Sequence, residues 1–79
     1  MSAGAVPREL RSALEVLRGL RERRPAPGCP AAELAGWWEE VAVASEVLAG
    51  VLVFPQDRRR YRAEAAFARG EAERVRGSS

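Results

Sequence analysis

Prolines divide this chain into three segments and limit its fold more than any other feature. Three of them, Pro25, Pro27 and Pro30, fall within six residues, and Pro55 lies further along. Proline lacks a backbone N–H and has a fixed φ angle, so a helix accepts it in the first turn and is broken by it elsewhere. The sequence therefore predicts three separate elements, with a short stiff linker over residues 25–30.

The first segment has the spacing of an amphipathic helix over about residues 7–24. Pro7 suits the first helical turn. Apolar residues then recur three and four positions apart, which is the period of one helix face. They are Leu10, Ala13, Leu14, Leu17 and Leu20.

The second segment predicts a helix over residues 31–54 whose end is apolar on every side. Charged residues stop at Glu46, and the run from Val47 to Phe54 has no polar side chain. A helix that is apolar all round is expected to be buried all round, by neighbouring helices or by another subunit. A short strand over residues 51–54 is the less favoured alternative, since β-branched residues cluster there.

The third segment predicts a helix over residues 55–76, starting at Pro55, with an alanine-rich face. Arg60 and Glu64, and likewise Arg69 and Glu73, have the i, i+4 spacing of helical ion pairs. Together the segments predict one all-α domain over residues 1–79. It would be either a small three-helix bundle or a helical hairpin with an additional N-terminal helix.

The composition argues against enzymatic activity. The chain has no histidine, no lysine and one cysteine. Nucleophile–base pairs, Schiff-base chemistry and the usual zinc ligand sets therefore lack their residues. A site built from carboxylates alone, on Glu39, Glu40 and Glu46, is conceivable, but these residues fit a solvated helix face better. We expect a non-enzymatic protein with no cofactor and no metal.

The surplus of apolar surface in the second segment favours an interaction module. At 79 residues, a single core is only marginally stabilising. Self-association, or binding to another helical protein, would cover the remaining surface. The adjacent pair Trp37 and Trp38 points in two directions on a helix, so one ring is expected in the core and the other beside the linker or at an interface. The predicted interface residues are Trp37, Trp38, Val47, Leu48, Val51, Leu52 and Phe54.

An arginine cluster at the start of the third helix supports an alternative function, nucleic-acid binding. Cations are disfavoured at a helix N-terminus, yet four arginines crowd the first turns. They could grip phosphates while the tyrosine among them stacks on a base. The cluster is Arg58, Arg59, Arg60, Tyr61 and Arg62. The competing interpretation is that these arginines neutralise the acidic second segment, whose glutamates are Glu33, Glu39, Glu40 and Glu46.

Several short stretches resemble a group of short, uncharacterised actinobacterial helical proteins. The resemblance covers roughly residues 10–76. It depends on Arg24-Pro25-Ala26-Pro27, on Trp37-Trp38, on Ser45-Glu46-Val47-Leu48-Ala49, and on the alanine-rich stretches 64–68 and 71–74. Where that group has histidines before the last helix, this chain has arginines. The resemblance implies a bacterial, cytoplasmic helical protein and implies no activity.

The remaining features favour a cytoplasmic location. Cys29 is the only cysteine, so no internal disulfide can form. We interpret Cys29 as a bystander, with a redox role as the weaker alternative. The first residues lack the apolar core of a signal peptide, and the longest apolar run, residues 47–54, is far shorter than the roughly 20 residues that span a bilayer.

Overall fold

The structure, a computed structural model, describes residues 7–78 and consists of three helices. In chain order they are α1 (Arg8–Glu22), α2 (Ala31–Val51) and α3 (Pro55–Gly77). No strand occurs in this range. The predicted all-α fold is therefore confirmed. No helix within residues 7–78 is long and apolar enough to cross a membrane.

Prolines set the helix boundaries, as the sequence predicts, with one difference at the end of α2. Pro7 and Pro30 immediately precede α1 and α2, and Pro55 is the first residue of α3. The helix predicted to reach residue 54 ends at Val51 instead, and neither it nor the alternative strand occupies residues 52–54. Phe54 has a ψ of 132°, because a residue before proline is excluded from helical geometry.

The linker between α1 and α2 turns at its glycine. Gly28 has a φ of 88°, in the left-handed region that side chains bearing a Cβ rarely adopt. The backbone N–H of Cys29 donates to the carbonyl of Ala26 across this turn. The turn reverses the chain, so that the end of α1 comes back to the start of α2.

The three helices form a hairpin with one added helix. α2 and α3 pack along each other and α1 packs against α2. Within the described range, the backbones of α1 and α3 do not approach closely, and these two helices meet through the ion pair between Arg21 and Glu64. Of the two predicted arrangements, the structure shows the hairpin with an additional N-terminal helix. Its Cα atoms span 52 × 22 × 13 Å, so the molecule is elongated.

The core lies along α2, between its two neighbours. Leu17 of α1 and Leu48 of α2 are among its largest fully buried side chains. On the α3 side the buried residues are mostly alanines, including Ala68 and Ala72. These small side chains let the α2 and α3 backbones approach closely.

Ion pairs between helices bind α2 to α3 at two positions. Arg69 donates a hydrogen bond to Glu46, and Arg76 donates one to Glu39. In each case the hydrogen bond from the arginine lowers the pKa of the glutamate below its ordinary value. Arg69 thus pairs across to α2 and not with Glu73 on its own helix, the partner suggested by its i, i+4 spacing.

Candidate interaction surfaces

A groove runs between α1 and α2 on one side of the molecule. It encloses about 600 Å³. Each helix contributes residues three or four positions apart, so each presents one continuous stripe of side chains. The lining residues are Glu9, Ser12, Ala13, Val16, Leu20 and Arg23 of α1, with Gly36, Glu39, Glu40, Val43, Ala44 and Val47 of α2. We call this the α1–α2 groove.

Three valines of the α1–α2 groove are exposed. Val16, Val43 and Val47 have exposed fractions of 54%, 55% and 54%. At one end of the α1 stripe lies Glu9 and at the other lies Arg23. Neither side chain forms an ion pair within residues 7–78. The groove therefore combines an apolar floor with opposite, uncompensated charges at its two ends.

The structure separates the predicted interface residues by exposure. Val47 and Phe54 are exposed, whereas Trp38, Val51 and Leu52 are half-buried. Leu48 is 0% exposed and Trp37 is also buried, both in the core between α2 and its neighbours. Leu48 and Trp37 are therefore core residues, and Val47 and Phe54 are the exposed members of the predicted set.

The tryptophan pair divides its roles as the sequence predicts. The indole N–H of Trp37 donates to the carbonyl oxygen of Leu20 at 2.7 Å and so ties α2 to the end of α1. Trp38 lies on the outer side, edge-to-face with Phe67 of α3, with ring centroids 5.7 Å apart. The guanidinium of Arg24 lies over both indole rings.

These aromatic residues line a second, separate cavity of about 570 Å³. We call it the aromatic pocket. Its lining combines rings, three charged groups and two small apolar side chains from all three helices and the linker. The residues are Arg21, Arg24, Trp37, Trp38, Val41, Ala63, Glu64 and Phe67.

The arginine cluster at the start of α3 is exposed and is not neutralised by α2. Arg58 donates to the carbonyl of Leu52 at 2.6 Å. Arg60 lies 3.8 Å from Glu64 on its own helix, and its guanidinium lies over the ring of Tyr61. Arg59 and Arg62 form no ion pair with any described residue.

The arginine cluster was expected to pair with the glutamates of the second segment. For Glu39 and Glu46 this expectation is wrong, because both glutamates pair with other arginines. Glu46 and Glu39 are taken by Arg69 and Arg76, which lie further along α3. In the antiparallel hairpin, Arg69 in the middle of α3 reaches Glu46, and Arg76 at the end of α3 reaches Glu39, near the middle of α2. Tyr61, predicted to stack on a base, is half-buried and packs against the core.

Sequence reasoning missed several residues of both cavities. Val16 and Val43 fall outside the apolar run 47–54, and only the α1–α2 packing reveals them as one surface. Phe67 lies on a different helix from Trp38, and the sequence does not show that the two rings meet. Arg24 precedes Pro25, outside any helix, so helical spacing could not predict that its guanidinium lies over two indole rings.

Comparisons with known proteins add no assignment to these surfaces. Neither the protein-family models, nor the curated proteins, nor the solved structures contain a match to this chain. Residues 7–78 also bring together no group of three or more histidine, cysteine, aspartate or glutamate side chains able to hold a metal ion.

Proposed function

We propose that this chain is a non-enzymatic helical interaction module that dimerises through the α1–α2 groove. The observation that carries the proposal is the exposure of Val16, Val43 and Val47, each more than half accessible on one continuous surface. A chain of 79 residues has a small core that stabilises the fold only marginally. Covering these valines would stabilise it by about 25 cal/mol for each Å² of apolar surface removed from water.

A groove with one helical stripe on each side suits a helix as its occupant. Side chains at i, i+3, i+4 and i+7 on both walls can interdigitate with the ridge of an incoming helix. Helices are the only regular elements that the described part of this chain offers. A second copy can therefore supply the matching surface.

The charges of the groove favour a symmetric pair. Glu9 and Arg23 each lie seven residues from Val16, on opposite sides of it along α1. A two-fold axis near Val16 would bring Arg23 of each chain towards Glu9 of the second copy. Glu9 and Arg23, neither of which forms an ion pair within residues 7–78, would then neutralise each other across the interface, and the valines would meet at its centre.

The molar mass of the purified protein, measured by light scattering on a sizing column, tests the proposal. We expect a dimer, and Val47→Asp should shift it to a folded monomer because a buried charge without a partner is costly. Leu14→Asp is the matched control, because Leu14 is also exposed on a helix but does not line the groove. A monomer at every concentration would contradict self-association and leave the groove for another helical protein.

Charge reversal tests the symmetric arrangement separately from the apolar contact. Glu9→Arg alone should weaken the dimer, and so should Arg23→Glu alone, because each puts like charges together. The double variant should regain most of the lost affinity. If the double variant is as weak as the two single changes combined, the two-fold arrangement is wrong even if a dimer exists. Leu48→Asp is unsuitable here, since burial of Leu48 predicts unfolding.

A second candidate function, nucleic-acid binding through the start of α3, is supported by the unpaired state of Arg59 and Arg62. If the cluster served only to balance the acidic helix, these side chains would face α2 carboxylates. Binding to phosphates predicts an affinity for single-stranded DNA or RNA that falls steeply with added salt. Arg59→Gln with Arg62→Gln should weaken it, and Arg8→Gln with Arg11→Gln, exposed arginines at the start of α1, is the control. Absence of binding at low salt would exclude this function.

We also propose a cytoplasmic location. Its support is the single cysteine, which fits a reducing compartment. Fractionation of the source cells with an antibody to the protein would test it, and recovery outside the cytoplasmic fraction would contradict it.

A further inference from the structure

Arg24 is held in place by two indole rings and pairs with no carboxylate of the described chain. Its guanidinium carbon lies 5.3 Å from the ring centroid of Trp37 and 5.4 Å from that of Trp38. Both distances are within the range of cation–π contact. A guanidinium fixed in this way keeps a planar fork of N–H donors for a carboxylate or phosphate.

The one carboxylate that lines the aromatic pocket pairs with another arginine, so Arg24 remains able to bind an added anion. Glu64, the only acidic residue among the lining side chains, already accepts a hydrogen bond from Arg21 at 2.8 Å. The guanidinium of Arg60 lies 3.8 Å from the other oxygen of the same carboxylate. The one carboxylate of the pocket is therefore shared by Arg21 and Arg60. Arg24 adds a further positive charge to the lining, and this excess of positive charge attracts an anion.

The walls of the pocket favour an aromatic ring next to that anion. Phe67 is 60% exposed, which is high for a phenylalanine. It stands at 81° to Trp38, so the two rings form a corner. A planar ring entering this corner could stack on one and meet the edge of the other. The pocket volume of about 570 Å³ is within the range of small-molecule sites.

We propose that the aromatic pocket binds a small planar aromatic anion. Its ring lies against Phe67 and Trp38, and its carboxylate or phosphate accepts hydrogen bonds from Arg24. This inference does not depend on dimerisation, because the aromatic pocket and the α1–α2 groove share no lining residue.

Heteronuclear NMR titration of the full chain with defined probes tests the proposal. Naphthoate and naphthyl phosphate carry a ring and an anion, and comparing them shows which anion the site prefers. Naphthalenemethanol carries the ring alone, and cyclohexanecarboxylate carries the anion without an aromatic ring. We expect at least one of the aromatic anions to shift the indole N–H signal of Trp38 and the guanidinium signal of Arg24, at least about tenfold more tightly than either single-feature probe.

Two substitutions on the pocket and one away from it complete the test. Arg24→Gln should weaken the aromatic anion about tenfold, the loss of a charge-assisted hydrogen bond. Phe67→Leu should weaken it about threefold, since it keeps apolar volume and removes a ring. Arg11→Gln, an exposed arginine of α1 outside the pocket, should bind as the unmodified protein does.

Three results would overturn the proposal. Equal binding of naphthalenemethanol and naphthoate would show a merely apolar cavity. Equal binding of cyclohexanecarboxylate would show that the rings take no part. Equal affinities of the Arg24→Gln and Arg11→Gln variants would show that Arg24 only covers the tryptophans. Because Arg24 and Phe67 are exposed, unchanged circular dichroism spectra should accompany all three variants.

Discussion

Replacing Ser45 with alanine should stabilise the protein, although most substitutions of fully buried residues destabilise. Ser45 lies on α2 with 0% of its surface exposed, and its hydroxyl has no hydrogen-bond partner among the described residues. An unpaired buried hydroxyl costs about 1–3 kcal/mol. Serine is also roughly 0.5 kcal/mol worse than alanine inside a helix. The substitution also removes the van der Waals contacts of one oxygen atom, which destabilises the protein by only about a few tenths of a kcal/mol. The expected net gain is therefore about 1–3 kcal/mol.

Urea unfolding followed by circular dichroism measures this gain, and Ser12→Ala provides the matched control. Ser12 lies inside α1 and is exposed, so its replacement changes helix propensity without changing burial. We expect about 0.5 kcal/mol or less from Ser12→Ala. For Ser45→Ala we expect a larger gain, with a melting temperature raised by about 5–25 °C. A Ser45→Ala variant no more stable than Ser12→Ala would refute the reasoning and show that the hydroxyl finds an acceptor in solution.

Three further predictions follow from the core and the ion pairs. Because Leu48 is fully buried, Leu48→Ala should lower the free energy of unfolding by about 2–5 kcal/mol in the same urea assay, and a smaller loss would indicate that the core collapses around the gap. Trp37→Phe removes the hydrogen bond to Leu20 and should cost about 1–2 kcal/mol, with α1 losing amide-exchange protection first; uniform loss along the chain would contradict this. The pKa values of Glu39 and Glu46 are lowered on folding, so their contribution is complete above the ordinary value of 4.5 and is lost as pH falls through the lower folded values. Thermal melting at decreasing pH should show this loss, and it should be smaller in the Glu39→Gln, Glu46→Gln double variant.

The sequence predicts the helices well because their boundaries are local. Proline excludes helical geometry at the residue before it and fits the first turn after it, and neither effect depends on the rest of the fold. The end of α2 was missed because the apolar pattern continues through Phe54, while Pro55 had been assigned only to the start of the next helix. Both effects of one proline act there, because Pro55 begins α3 and Phe54 before it is extended. α2 ends three residues before Phe54, at Val51, and Leu52 is already extended.

The partners of charged residues could not be predicted, because they depend on helix register. Arg69 has a glutamate at i+4 on its own helix, yet the hairpin brings it to Glu46, which is 23 positions away in the chain. The arginine cluster at 58–62 was expected to balance the acidic helix, and the antiparallel pairing assigns that balance to arginines later in α3. The spacing of charged residues shows which ion pairs are possible within one helix, but it gives no information on ion pairs with a neighbouring helix.

A residue buried within the chain and a residue buried against a partner are both apolar, so the sequence pattern does not distinguish them. The apolar run therefore predicts that α2 has extensive apolar surface, but it does not predict which of its residues lie in the core. α2 is apolar on more sides than its two neighbours cover. Leu48 and Val47 are adjacent and equally apolar in the sequence, but Leu48 is buried whereas Val47 is 54% exposed. The periodicity of α2 alone could not assign one to the core and the other to the surface, since an apolar helix has no polar face to orient it. The positions of α1 and α3 supply that orientation. They leave the Val43 and Val47 side of α2 as apolar surface that residues 7–78 do not cover, which is why dimerisation is proposed there and not over the whole predicted set.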